Sequence, residues 1–161
     1  MIKIKFIVIG SLKEDYLVKM EKEYLKRLSK YASVNITEFK ETPFEANKLT
    51  KETINKIVSL EDKKILEKIN KEDVLILLDL KGKSLTSEEF SFKLNDYISN
   101  LRGDIVISIG GPLGVSEELR NRANLRLKLS DLTFTHQFTR ILILEQLYRA
   151  FKIINHENYH Y

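Results

Sequence analysis

The residues able to do chemistry in this chain form a short list of segments. The run His156-Glu157-Asn158-Tyr159-His160 matches H-E-x-x-H letter for letter. That motif holds zinc only on a helix, where both histidines share a face and a further ligand arrives from elsewhere. Here it closes the chain, Asn158-Tyr159 is a poor helix interior and no ligand follows, so zinc hydrolysis is set aside. Gly82-Lys83-Ser84 looks like the end of a phosphate loop, but the glycine required five residues before Gly82 is Leu77, in mid-strand. Gly110-Gly111-Pro112-Leu113-Gly114 is not a dinucleotide fingerprint. It reads as a tight turn, or as a strand end where glycines let a ligand approach the backbone. No G-x-S-x-G elbow and no Ser/His/Asp set is present. The absence of cysteine removes thiolate nucleophiles, disulfides, Cys-ligated zinc and iron–sulfur clusters.

Cations are the other candidate chemistry. Arg120, Arg122, Arg126 and Lys128 fall within nine residues with no acid among them. Such a run is usually a solvated face, but this one adjoins a loop at a strand's end, where a polyanion would be well placed. Arg140, Arg149 and Lys152 add charge along the last helical segment, with Glu145 opposing. The tail from Asn155 to Tyr161 reads either as a frayed terminus or as an arm whose Tyr and His rings stack on unpaired bases.

Elements must position these groups. With 161 residues, 43% hydrophobic and 31% charged, the chain can bury one real core and is not intrinsically disordered. A single domain over 1–161 is expected. Periodicity predicts strands at 3–9, 33–40, 74–78, 105–109 and 125–129. Helices are predicted at 15–31, 50–69 (capped by Thr50), from the capping box Thr86-Ser87-Glu88-Glu89 to Leu101, at 117–123 and at 137–154. Strict alternation of the two, with apolar runs at 74–78 and 105–109, argues for an α/β fold with a mostly parallel sheet and helices on both faces. Ligands in such folds bind beyond the carboxyl ends of strands, here at 79–83, 110–114 and 130–136. Ile141 to Leu144 is apolar all round, which fits either a second subunit or burial within the monomer. No apolar run approaches the ~18–20 residues that span a bilayer. The N-terminus lacks a signal-peptide layout, so the expected location is cytoplasmic. Net charge is +4, and split at residue 70 the first part holds 15 basic and 11 acidic residues, the rest 12 of each. That mild excess is compatible with nucleic acid without requiring it.

Taken in order and spacing, several segments resemble a known family. They are Val8-Ile9-Gly10-Ser11-Leu12-Lys13, Leu78-Asp79-Leu80-Lys81-Gly82-Lys83, Ile109 to Gly114, Leu129 to Gln137, Arg140 to Ile153, and Tyr159-His160. The chain resembles, over nearly its whole length, the bacterial 23S rRNA pseudouridine N3-methyltransferases of the SPOUT superfamily. The resemblance implies a C-terminal trefoil knot that binds S-adenosylmethionine through the three strand-end loops. By position, Leu78, Gly110, Leu129, Ser130, Asp131, Leu132, Thr133 and Phe134 would line the donor. It further implies a homodimer, in which the partner's tail completes the site, and a substrate pseudouridine in helix 69 of the large-subunit rRNA on the assembled ribosome. No metal and no membrane are implied. Two departures stand out: Thr135 where the family usually has proline before the loop histidine, and Tyr161 after Tyr-His.

The acceptor N3 carries an imide proton that must leave, so a base or a nearby cation would help. Tyr159 and His160 from the partner are expected to position the base, with His160 the first candidate for the proton. Arg140 and Arg149 would hold phosphate or the developing imide anion. Against this, Arg149 could simply pair with Glu145 four residues earlier. His136 reads as a cap or loop brace, or as an RNA contact together with Arg120, Arg122 and Arg126. Two rivals belong to other classes: a non-enzymatic RNA-binding module, and a flavodoxin-like nucleotide binder.

Overall fold

Val74–Leu78 is apolar at every position and Ile105–Ile109 at every position but Ser108, whose hydroxyl donates to the Ile7 carbonyl; only a strand covered on both faces can bury such runs. In the computed structural model, which describes residues 1–160, they lie side by side at the centre of one parallel sheet; Tyr161 lies outside the described residues. The strands are β1 (Ile2–Ile9), β2 (Ala32–Phe39), β3 (Val74–Ser84), β4 (Ile105–Ile109) and β5 (Leu125–Lys128). Their order across the sheet is β2-β1-β4-β3-β5, and every neighbouring pair is parallel. The helices are α1 (Asp15–Leu28), α2 (Lys51–Leu66), α3 (Ser87–Ser99), α4 (Glu117–Arg122) and α5 (His136–Ile154).

Side chains alternate across the pleat, so β1 feeds two cores. Ile4, Phe6 and Val8 pack with Leu28 of α1, Phe90 and Leu94 of α3, and Ile143, Leu144 and Leu147 of α5. Ile7 and Ile9 pack with Ile65 of α2 and Leu119 of α4. Helices therefore cover both faces, as the alternation of elements predicts. α5 packs against both α1 and α3, which buries Ile141, Ile143 and Leu144 within the chain and leaves Leu142 half-buried.

Several boundaries differ from the sequence reading. α1 stops at Leu28, where the Ser29 N–H turns back to the Leu25 and Lys26 carbonyls, and α2 stops at Leu66. β3 is longer than its apolar run: residues 83–84 pair again with β5 after a register shift between Leu78 and Lys83. Gly82 permits this, because a Cβ there would sit 2.6 Å from the Arg126 carbonyl oxygen. The Gly82-Lys83-Ser84 segment is thus strand rather than phosphate loop. α5 ends at Ile154, and His156 has φ +56. The two histidines of His156–His160 therefore do not share a helical face. Among the described residues no group of three or more His, Asp or Glu side chains converges as metal ligands would, and no helix is long and apolar enough to cross a membrane.

Thr135 caps α5. Its Oγ1 accepts from the Phe138 N–H at 3.2 Å. Replacement by alanine leaves that N–H to solvent, so Thr135→Ala is expected to cost about 1 kcal/mol, read as a lowered thermal midpoint. An unchanged midpoint would mean that the cap contributes nothing.

Candidate active site

The irregular stretch 78–81 of β3, where the pairing with β5 shifts register, and the turns after β4 and β5 close on one cavity of about 820 Å³, within the range of small-molecule sites. This matches the placement expected for ligands at the carboxyl ends of parallel strands. Leu78, Gly110, Leu129, Ser130, Leu132 and Phe134 all line it, with Ile109, Leu113 and Leu127 adding apolar wall. Asp131 and Thr133 are exposed and do not line it; Asp131 instead pairs with Lys128.

The glycines of the middle turn have a steric cause. A Cβ on Gly110 would meet Val115 Cγ1 at 2.5 Å and the Gly114 carbonyl oxygen at 2.9 Å, and Gly114 itself has φ +105. The turn closes through Gly114 N–H donating to the Gly111 carbonyl at 3.1 Å. Larger residues would push this backbone away from the cavity.

Asp79 of β3 locks α4 and β5 to the cavity's first wall. Its carboxylate is buried and accepts from Arg120 Nε and Arg126 Nε, both at 2.9 Å, and from the Lys81 N–H at 3.0 Å. Burial alone would raise this carboxyl, but the three donors outweigh it and hold it below the ordinary carboxylate range.

That lock changes the reading of the basic run. Arg120 and Arg126 are engaged by Asp79, and Lys128 by Asp131. Arg122 donates to the Asn70 and Asp73 carbonyls at 2.9 Å. The run is tied down by Asp79 of another element, by Glu117 and Asp131 just outside it and by backbone carbonyls, so it is not the open cationic strip that its spacing suggests. Of these arginines only Arg120 lines the cavity. Arg140 is likewise committed: it is buried, with Nε and Nη2 on Glu21 and Nη1 on Glu38 at 2.6 Å. Its place is between α5, α1 and β2 rather than in the cavity. His136 lines the cavity and braces it, with Nε2 2.9 Å from Glu41 Oε1 in an approach not aligned as a hydrogen bond.

The tail is ordered on its own chain. Glu157 accepts from Lys30 and Lys152 Nζ and from Tyr31 OH, and these contacts pull its carboxyl down to about 2. The sign follows: docking of the tail through Glu157 is present above the ordinary carboxylate range and is lost only as pH falls through about 2. An NMR titration of the Glu157 carboxyl should therefore show a midpoint near 2. A midpoint at the ordinary value of 4.5 would mean that the tail is undocked.

Tyr159 stacks edge-on against Tyr148 with centroids 4.8 Å apart, and its hydroxyl donates to Glu145 Oε1 at 3.1 Å. Burial, then that acceptor, pushes the phenol up to about 12. Arg149 makes the pair with Glu145 that its spacing allows, at 2.6 Å through Nη2, and also reaches His160 Nδ1 at 3.1 Å through Nη1. Because a guanidinium only donates, His160 Nδ1 must accept, which leaves Nε2–H to donate to Glu88. Neither Tyr159 nor His160 lines the cavity of its own chain. A smaller groove of about 260 Å³, lined by Ser87, Phe90, Leu142 and Gln146, shares Leu127 to Ser130 and Phe134 with the cavity.

The acids that organise this site are Asp79, Glu41, Glu88 and Glu145, and the sequence reading gave none of them a role in the site. Only Glu145 carried a local signal, its four-residue spacing from Arg149.

Comparison with known proteins agrees with this geometry. A family model described as "Predicted SPOUT methyltransferase" matches residues 2–160. Curated relatives named ribosomal RNA large subunit methyltransferase H are similar over almost their full length. One from Desulforamulus reducens is 44% identical over 160 residues, covering 99% of both chains. One from Clostridium botulinum is 45% identical over 161 residues, covering 98% of both, and one from Pseudothermotoga lettingae is 44% identical over 159 residues, covering 99% of both. The motifs around the three turns and the match across the whole length agree: the chain belongs to the SPOUT methyltransferase family.

Proposed function

We propose that this methyltransferase moves a methyl group from S-adenosylmethionine to N3 of a pseudouridine in helix 69 of 23S rRNA on the assembled ribosome. On this reading it works as a homodimer in the cytoplasm. The observation that carries the reading is the convergence of the 78–81 stretch of β3 and the turns after β4 and β5 on one cavity with apolar walls and a glycine-lined turn. The donor set fits the cofactor: Leu78, Ile109, Leu129 and Phe134 suit an adenine, and the cavity-lining backbone at Gly110, Leu113, Leu129 and Ser130 suits its edges and the methionine end. We read the passage from 130–136 into α5 as the threading of a trefoil knot, as family membership implies.

When bound, the donor supplies a methyl on a sulfonium, which needs no metal to become electrophilic. The chain's own work is to place an imide nitrogen in line with that methyl and take its proton. The shared wall between cavity and groove is where a second copy would bring Tyr159 and His160. The Tyr159 hydroxyl stays protonated up to about 12, so it positions the base and does not accept the proton. His160 is the proton acceptor. Its Nδ1 lone pair is held by Arg149, and taking the imide proton there frees the guanidinium to stabilise the imide anion. Arg140, between two glutamates, holds α5 against α1 instead of touching RNA.

Single-turnover methylation by His160→Gln across pH tests the assignment. The expected result is a rate lowered about 10²–10⁴-fold, with the wild-type pH profile flattened. An unchanged rate and profile would remove His160 from the chemistry. A chain that gives no heat with S-adenosylmethionine would instead favour an RNA-binding module.

A further inference from the structure

Two adjacent carboxylates of α2, Glu61 and Asp62, are only 2% and 1% exposed, and none of the chemistry above uses them. Among the described residues no cation lies at ion-pair distance from either. Glu61 Oε2 accepts from the Thr42 N–H at 2.8 Å, and Asp62 Oδ2 accepts from the Ser116 N–H. Asp62 Oδ1 is buried with no partner. Two unpaired acids side by side in a protein interior are costly. Burial pushes the Asp62 carboxyl above its ordinary range against the pull of Ser116; the charge of Glu61 adds to the rise, and Arg120 of α4 opposes it.

What these side chains hold explains where the cost falls. Glu61 Oε1 lies 2.7 Å from where a Cβ on Gly111 would be, so the middle cavity turn rests against it. Its other oxygen fixes Thr42, the neighbour of Glu41 that braces His136. Asp62 fixes Ser116, the residue that caps α4, and from α4 Arg120 reaches Asp79. Neither carboxylate lines the cavity, yet each holds a segment that does.

We infer that Glu61 and Asp62 are positioning residues for the methyl donor, fixing the 110–116 turn from outside the cavity and so setting donor affinity without touching the reacting atoms. The inference rests on the reading of the cavity as the donor site. The test uses the full chain and S-adenosylhomocysteine as a non-reacting probe, titrated calorimetrically into wild type, Asp62→Ala and Asp62→Asn, with single-turnover rates at saturating donor. Asp62→Ala removes the acceptor for Ser116, whereas asparagine keeps one and places its amide where Oδ1 lacks a partner. The expected result is a dissociation constant raised at least about tenfold in Asp62→Ala, a rate changed by less than about threefold, and affinity restored in Asp62→Asn. Equal affinity in all three, or affinity and rate falling together without rescue, would overturn the inference. Amide exchange of Ser116 and Thr42 in wild type gives a second readout that needs no variant. Both should slow at least about tenfold when the probe binds, and unchanged exchange would also overturn it. A wild type that binds no probe would instead sink the reading of the cavity.

Discussion

Asp79→Ala should lower the stability of this chain by about 3 kcal/mol, because it removes the one buried carboxylate on which two guanidiniums converge and leaves Arg120 only the exposed Glu117. Arg120 and Arg126 both end on Asp79 Oδ2, and Arg120 is mostly buried, so solvent cannot fully replace the lost partner. For a chain of this size that loss corresponds to a thermal midpoint lower by roughly 6–12 °C. The pH dependence carries the same signature. Asp79 is held below the ordinary carboxylate range, so its contribution is complete above that range and is lost as pH falls through its lowered value. The stability gap between wild type and Asp79→Ala should therefore narrow on acidification. A gap independent of pH, or a midpoint within a degree or two of wild type, would show that the lock does not hold the turns. Since Asp79 and Arg120 both form cavity wall, donor affinity should fall with it.

The second large effect concerns the tail. Replacing Tyr159 and His160 together by alanine is expected to reduce methyl transfer about 10²–10⁴-fold while donor binding stays near wild type, because neither residue lines the cavity of its own chain. Pairing of copies makes a sharper version possible. Gly110→Val blocks the donor turn, where even a Cβ would meet Val115 Cγ1 at 2.5 Å. Each variant alone should be inactive. Mixed in equal amounts and allowed to exchange subunits, they should recover about a quarter of wild-type activity, since half the dimers then hold one intact cavity facing one intact tail. No recovery would mean that the tail serves its own chain.

The parallel sheet and its flanking helices were legible because their signals are local. Val74–Leu78 is apolar throughout and Ile105–Ile109 at all but Ser108, and the capping box at Thr86 forms as its spacing indicates, with Thr86 Oγ1 accepting from the Glu89 N–H and the Thr86 N–H donating to Glu89 Oε1. The three cavity segments were legible for a related reason: each follows the apolar run of a strand, and parallel strands carry those ends to one edge. The fate of the cations was not. Arg120 and Arg126 find Asp79, and Arg140 finds Glu21 and Glu38, partners that only the packing brings near. The extension of β3 to Ser84 was hidden because it depends on a close backbone approach at Gly82, which leaves no hydrophobic period. Glu61 and Asp62 fall within the helix predicted over 50–69, where nothing local marks them as buried, and only the structure shows that they are.

The most direct test is mass spectrometry of helix 69. Ribosomes from cells lacking the gene would be incubated with the purified chain and methyl-labelled S-adenosylmethionine. The expected result is one labelled methyl group on N3 of a single pseudouridine. Ribosomal RNA that stays unlabelled, or label on a different nucleotide, would contradict it.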